Sequence, residues 1–205
     1  MAEFILRFAR RLLLFSDRLR TSLLVQWLKI GCAGFICGEN LVLNGAPVFK
    51  FKAHANVVIG DGVTFNSRLT SNMVGLFKRC TVFVDDGAEL RIGSGSGLSG
   101  VSIYCTTKIG IGNNIACGGN VSIWDTDFHS MDFVQRRDNI NREKIKKSPI
   151  TIGNDVFIGA CSIILKGLTI GDRSIIGAGS VVTKSIPSDE IWAGNPARFI
   201  RKCDH

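Results

Sequence analysis

Ile152-Gly153-Asn154-Asp155-Val156-Phe157 is the first of six consecutive hexads that end at Pro187. Ile158-Gly159-Ala160-Cys161-Ser162-Ile163 and Ile164-Leu165-Lys166-Gly167-Leu168-Thr169 follow, and three more units open at Ile170, Ile176 and Val182. The first position is branched and aliphatic every time, and the second is Gly in four of the six. The fifth runs Val, Ser, Leu, Ser, Ser, Ile. Six is not a helix period, and simple strand alternation does not restart at each sixth residue. A short fixed repeat is the mark of a stacked solenoid. The fifth residue of one unit and the first of the next lie two apart, so both face the same side of a short strand. Gly, Asn and Asp between them suit tight corners. Three units make one triangular coil, and coils stacked about 4.8 Å apart line up the aliphatic positions as an inner column. A sandwich with evenly spaced strands does not hold a strict period for this long.

The stretch resembles the hexapeptide-repeat acyltransferases, closest to the sugar and polysaccharide O-acetyltransferases. The residues that carry the resemblance are Ile152 to Gly159, then Lys166-Gly167-Leu168-Thr169-Ile170-Gly171-Asp172, then Gly177-Ala178-Gly179-Ser180-Val181-Val182-Thr183-Lys184, and finally Ala193-Gly194-Asn195-Pro196-Ala197-Arg198. The likeness is dense over about 150–200 and looser from about 57. It implies an all-β solenoid, a left-handed parallel β-helix, with acetyl-CoA as donor substrate and no metal.

Working outward, 205 residues suit one domain with a sizeable core. The expected division is an N-terminal amphipathic helix over 1–29, the β-helix over 30–191 with a protruding loop at 124–147, and a CoA-proximal tail over 192–205. Residues 1–29 place Phe4, Ile5, Phe8, Leu12, Phe15 and Leu19 at threes and fours, with Arg7, Arg11 and Arg18 toward the other side. Such a helix either caps the open end of the solenoid or lies on a membrane surface through residues 1–25. Arg7, Arg10, Arg11 and Arg18 interrupt its apolar content, which argues against a secretory signal. No apolar run reaches membrane-spanning length. Seven cysteines without metal spacing read as reduced packing residues in a cytosolic protein, at most peripheral at the inner membrane surface. The net charge of +8 fits an anionic partner such as CoA, an acidic substrate or an anionic lipid surface. No nucleic-acid module accompanies it.

Residues 30–56 are Gly-punctuated and read as irregular first coils, with His54 as a surface or packing residue. Ile59-Gly60-Asp61-Gly62-Val63-Thr64-Phe65 opens a clearer register. Residues 70–79 break it as a loop. Gly93-Ser94-Gly95-Ser96-Gly97 imitates a phosphate loop but falls on solenoid corners. The repeat then stops after Ile123 and returns only at Ile152. Between them lie Trp124-Asp125-Thr126-Asp127-Phe128-His129-Ser130-Met131-Asp132 and a basic stretch from Gln135 to Lys147. Insertions into a solenoid become surface loops, and such loops commonly carry function.

Acyl transfer from a thioester to a hydroxyl needs a base that works near neutral pH and a donor for the oxyanion. Histidine is the side chain suited to the first task, and His129 is the candidate. Asp125 or Asp127 would hold its other nitrogen; spacing does not choose between them. The plainer reading is a surface histidine among incidental acids. The resemblance favours the base, because relatives carry a catalytic histidine in this loop. It implies further that the amide of Ala160, after Gly159, meets the thioester oxygen, and that Ala178 lies along the pantetheine arm. It also puts Thr183 and Lys184 beside CoA, and Arg198 and Arg201 near its phosphates. Trp192 either stacks near adenine or packs on the coil. Trp124, Asp125 and Arg136 are the candidates for the acceptor. The expected assembly is a homotrimer with sites between subunits and a carbohydrate acceptor.

Other readings differ at the acceptor or the metal. An amino sugar or nucleotide-sugar amine would fit the same donor half. Serine acetylation fits less well, since that group carries a longer helical N-terminus. A carbonic-anhydrase-like zinc site wants three histidines, and the chain has only His54, His129 and His205. A non-catalytic scaffold would not need the His129 loop.

Overall fold

The computed structural model describes the backbone of residues 2–138 and 144–204, with side chains from Ser16 to Arg137 and from Lys144 to Asp204. The chain winds into a left-handed parallel β-helix with three faces. The first face contains Gly34–Cys37, Asn56–Ile59, Glu89–Ile92, Lys108–Ile111, Ile150–Ile152 and Thr169–Ile170. The second runs through Val42–Asn44, Thr64–Asn66, Gly97–Ser99, Ala116–Gly119, Phe157–Ile158 and Ile175–Ile176 to Glu190–Gly194. The third contains Val48–Phe51, Thr81–Val84, Ser102–Cys105, Ser122–Trp124, Ile163–Ile164 and Val181–Val182. Each strand pairs in parallel with the same face of the next coil, as Ile109, Gly110 and Ile111 do with Ile150, Thr151 and Ile152.

The hexad explains the core. First-position residues Ile152, Ile158, Ile164, Ile170, Ile176 and Val182 are buried, and so are fifth-position Val156, Leu168 and Ile186. The fifth-position serines are buried as well, and each finds a corner carbonyl. Ser162 and Ser180 donate to the Gly177 oxygen at 3.1 and 2.6 Å, and Ser174 donates to the Pro187 oxygen at 2.7 Å. A hydroxyl satisfied in this way avoids the cost of an unpaired buried polar group. The glycine at the second position is a close-approach residue. A Cβ on Gly153 would overlap Asp172 of the next coil. The left-handed backbone that corners need falls to Asn114 at φ 56° and Asp155 at φ 56°, residue types that tolerate it.

The helix α1 spans Ala2–Gly31, two residues beyond the expected end at 29. Leu28 is buried and Leu24 and Val25 are half-buried against the core cluster, so α1 covers the first coil. Asp17, also buried, accepts from Arg68 Nη2 at 2.8 Å. The side chains of Phe4, Ile5, Arg7, Phe8, Arg11, Leu12 and Phe15 lie outside the described ones. The segment expected as a CoA-proximal tail over 192–205 takes part in a hairpin on the second face. Glu190–Gly194 extends the second face, and Ala197–Lys202 turns back antiparallel onto it. The Gly93–Gly97 run forms a corner and enters the strand Gly97–Ser99. All seven cysteines are free thiols. Burial pushes the Cys117 thiol up to about 12 and raises those of Cys80 and Cys105, so these are protonated packing groups rather than nucleophiles.

Candidate active site

Two excursions leave the prism at different corners. Residues 67–79 leave where the second face meets the third, and the His129 loop leaves where the third meets the first. The neck of the second excursion is tied firmly. Thr126 bridges Lys147, the Asp127 amide donates to the Lys146 oxygen, and the Ser148 amide donates to the Asp125 oxygen. Within the loop, Asp132 Oδ1 caps the short helix α2 (Phe133–Asp138) by accepting from the Val134 amide at 2.8 Å.

Asp125 does not orient His129. Its carboxylate is 0% exposed and accepts five hydrogen bonds from the preceding coil. The donors are the amides of Thr106, Thr107 and Lys108 and the hydroxyls of Thr106 and Thr107, all at 2.6–3.0 Å. Asp125 therefore staples the corner from which the loop departs, and no oxygen is left for an imidazole or a substrate. Asp127 is also engaged: its carboxylate pairs with Lys166. It reaches His129 only through its main-chain oxygen, which accepts the His129 amide at 2.7 Å. Among the described residues the His129 imidazole makes no hydrogen bond, and it projects into solvent. Both sequence-derived choices for an orienting carboxylate are thus corrected by the contacts those carboxylates already make.

Aromatic packing seats Phe128, the residue before His129. Phe83 and Tyr104, from adjacent coils, stack with centroids 4.4 Å apart. Phe128 sets its ring edge-on against Tyr104 at 4.9 Å and against Trp124 at 5.4 Å. Its backbone sits at φ 61°, a strained region for a bulky residue. Aromatic packing of this kind offsets such strain. The next residue is His129, at the rim of a cleft of about 370 Å³ that Asp85, Tyr104, Thr106, Ile145 and Lys147 also line. Trp124 supports the loop from below. Arg136 folds back to donate to the Ser130 oxygen at 3.0 Å, so part of its guanidinium is spent on the loop.

The residues expected to meet the thioester lie elsewhere. Gly159, Ala160 and Ala178 occupy the corner between the second and third faces. A strand rises about 3.3 Å per residue, so this corner stands roughly 15 Å from the His129 corner across the third face. No reacting carbonyl touches both within one chain. Among the described residues no protein acceptor takes the amide of Ala160 or of Ala178. Gly118 and Gly159 are close-approach residues like Gly153, since a Cβ at either would overlap the amide of the next coil. Cys161, beside Ala160, is exposed. Lys78 reaches this side from the 67–79 excursion, donates to Ser122 Oγ at 3.1 Å, and has its pKa lowered by burial.

Thr183 and Lys184 are exposed on the His129 side, two coils on. Trp192 packs against the core and donates its indole N–H to Glu190 at 2.8 Å. Of the two readings from sequence, packing on the coil is the one its contacts match. Arg198 is exposed. Arg201 pairs with Asp204, its near neighbour in the chain. His54 pairs with Asp86 and lies three coils from the His129 loop, about 14 Å along the stack. These two histidines therefore do not meet on one metal. His205 lies outside the described residues.

Sequence reasoning passed over Tyr104, Phe83, Phe128, Asp85 and Lys78. One signal was available: Tyr104 is the single tyrosine of the chain, and it stands in register with Trp124 on the outward side of the third face.

Residues 149–184 match the bacterial transferase hexapeptide model of six repeats. This stretch is a transferase hexapeptide repeat. Galactoside O-acetyltransferase of Escherichia coli strain K12 is 38% identical over 125 residues, covering 59% of this chain and 58% of its own length. A solved galactoside acetyltransferase in complex with coenzyme A is 28% identical, covers 93% of this chain and 82% of its own, and superposes with a TM-score of 0.55. The hexapeptide-repeat containing acetyltransferase VCA0836 from Vibrio cholerae is 32% identical over 57% of this chain and 64% of its own, with a TM-score of 0.51. The aligned parts span 44% to 65% of the curated relatives' lengths.

Proposed function

We propose that this chain is an acetyl-CoA-dependent acetyltransferase whose acceptor is a carbohydrate hydroxyl. The reading extends to a homotrimer in which the His129 corner of one copy faces the Ala160 corner of the next. The observation that carries it is the pair of open amides at Ala160 and Ala178. They lie on a corner that neither described histidine, His54 nor His129, reaches within the same chain. The relatives support the donor: one of them is a galactoside acetyltransferase in complex with coenzyme A.

The two corners divide the chemistry. His129, next in the chain to the packed Phe128, accepts the proton of the attacking hydroxyl. The oxygen then bonds to the acetyl carbonyl carbon. The Ala160 N–H holds the resulting oxyanion, where one such donor is typically worth 10²–10³ in rate. As the carbon–sulfur bond breaks, the imidazolium returns its proton to the departing thiolate. The Ala178 amide is placed to hold a pantetheine carbonyl or amide, and Lys184 and Arg198 supply cations for phosphate. The chain itself forms no covalent intermediate in this scheme.

The test uses Cys161 as a built-in reporter of the donor corner. Coenzyme A should slow its alkylation by a maleimide, read by peptide mass mapping. Separately, thiol release from acetyl-CoA should appear with one member of a sugar and oligosaccharide panel. Release with amino sugars alone would replace the hydroxyl acceptor by an amine. Unprotected Cys161 together with no release across the panel would overturn the assignment.

A further inference from the structure

The helix α1 carries two opposite faces, and the cap explains only one of them. Asp17, Leu24, Val25 and Leu28 face the first coil. On the other side Leu19, Leu23, Trp27 and Ile30 are between 55% and 86% exposed. Their spacing of four, four and three residues puts them in one stripe along the helix. The amino-acid spacing repeats upstream at Ile5, Phe8 and Leu12. Capping a solenoid asks for a polar outer surface, so this stripe needs another account.

The charges beside it point to one occupant. Among the described residues of α1, the exposed charged groups are Arg18, Arg20 and Lys29; the acidic one, Asp17, is buried on Arg68. Arg18 and Lys29 line a groove of about 360 Å³ between the helix and the first coil, with Ser22, Gln26 and Asn40 as further polar walls. A groove with two cations and several neutral donors suits a phosphate headgroup, and the adjacent apolar stripe suits the acyl boundary below it. Trp27 belongs at such a boundary, with an apolar ring and a polar N–H. A second copy of this chain would bring like charges together along the same stripe. No described helix is long and apolar enough to cross a membrane, so the geometry is that of a helix lying in the interface.

We infer that α1 docks the protein on an anionic lipid surface, with Leu19, Leu23, Trp27 and Ile30 in the acyl boundary and Arg18 and Lys29 on lipid phosphates. This site is separate from the proposed acetyltransfer corners, so its test stands apart from theirs. Removing the helix would strip Leu28 and Asp17 from the first coil, so point variants on the exposed stripe are the cleaner probe.

The full chain is sedimented with vesicles of phosphatidylcholine alone and of phosphatidylcholine with a quarter phosphatidylglycerol. Binding is expected to the anionic vesicles only, falling as salt rises. Leu23→Gln with Trp27→Ser should lower binding at least tenfold without moving the thermal unfolding midpoint. Arg18→Gln and Lys29→Gln should each lower it about fivefold. Equal binding to both vesicle types, or unchanged binding in the Leu23/Trp27 variant, overturns the proposal. So does a vesicle-independent oligomer that dissociates in that variant, because the stripe would then belong to a second copy.

Discussion

Two corners of the prism use the same Ile-Gly-x motif and leave their amides in opposite states. Where the first face meets the second, the third motif position is Glu39 (after Cys37-Gly38), then Asp61, Ser94, Asn113, Asn154 and Asp172 in successive coils. Each side chain after the first accepts from the amide of its counterpart one coil back. Asp172 takes the Asn154 amide at 2.6 Å, Asn154 takes Asn113 at 2.9 Å, and Asn113 takes Ser94 at 2.9 Å. Ser94 Oγ takes Asp61 at 3.0 Å, and Asp61 takes Glu39 at 2.7 Å. Where the second face meets the third, the same position holds Ala160 and Ala178. Neither methyl can accept a bond, so the amide below Ala178 stays open. One corner is a ladder whose side chains satisfy five successive amides, from Glu39 to Asn154, and the other has no such side chains above the Ala160 amide. A backbone donor left without a protein partner at a solvent-facing corner is available to a ligand at little structural cost.

The comparison can be broken in several ways, and the largest effect belongs to the other half of the proposed site. His129→Ala should cut acetyl transfer by roughly 10²–10⁴, the usual range for a general base. Cys161 should remain protected by coenzyme A. Near-normal turnover in that variant would remove His129 from the scheme.

Next comes closing the open corner. Ala178→Asp should place a carboxylate on the Ala160 amide, as Asp172 does for Asn154. Turnover should fall about 10²–10³-fold, with the melting temperature unchanged or raised. An active Ala178→Asp enzyme would show that the open amide is not used.

Asp125→Ala tests the staple. It strands three amides that a buried carboxylate now holds, and the loss should be about 3 kcal/mol of stability in denaturant titration. A stable but inactive Asp125→Ala protein would instead return Asp125 to the chemistry. Phe128→Ala removes the ring that seats the loop. We expect about a tenfold fall in kcat with the folded state intact, readable alongside fluorescence of Trp124.

The smallest effect sharpens the contrast. Asn154→Ala opens the closed ladder at one rung, freeing the Asn113 amide. It should cost about 1 kcal/mol and leave activity alone.

The repeat was legible because its information is local. Ile152, Ile158 and Ile164 declare a period within a few residues, and burial then follows from which side of a strand each takes. The corner at which each residue sits was legible only with the coil count, and so the separation of His129 from Ala160 within one chain was not. The role of Asp125 was hidden for a different reason. Its partners Thr106 to Lys108 come from the previous coil, and nothing near Asp125 in sequence marks them. The same holds for the pairing of Asp127 with Lys166 and for the stack of Phe83 on Tyr104. Proximity in the chain suggested that two aspartates would serve the histidine beside them. Three-dimensional neighbours had already claimed both. Trp192 could not be assigned from sequence, because packing or stacking depends on which face the last coil presents.

The hairpin at the C-terminal end has a consequence for how these molecules behave in a crowd. A parallel prism ends in strands whose outer hydrogen-bonding groups invite another molecule to continue the sheet. Here the second face finishes on Ala197–Lys202, a strand running the opposite way and carrying Arg198, Arg201 and Lys202. A further coil could not continue in parallel register on it, and cations on an edge deter strand addition. At the opposite end α1 lies across the first coil. On the second face, therefore, the C-terminal edge is closed to parallel strand addition by a neighbouring molecule.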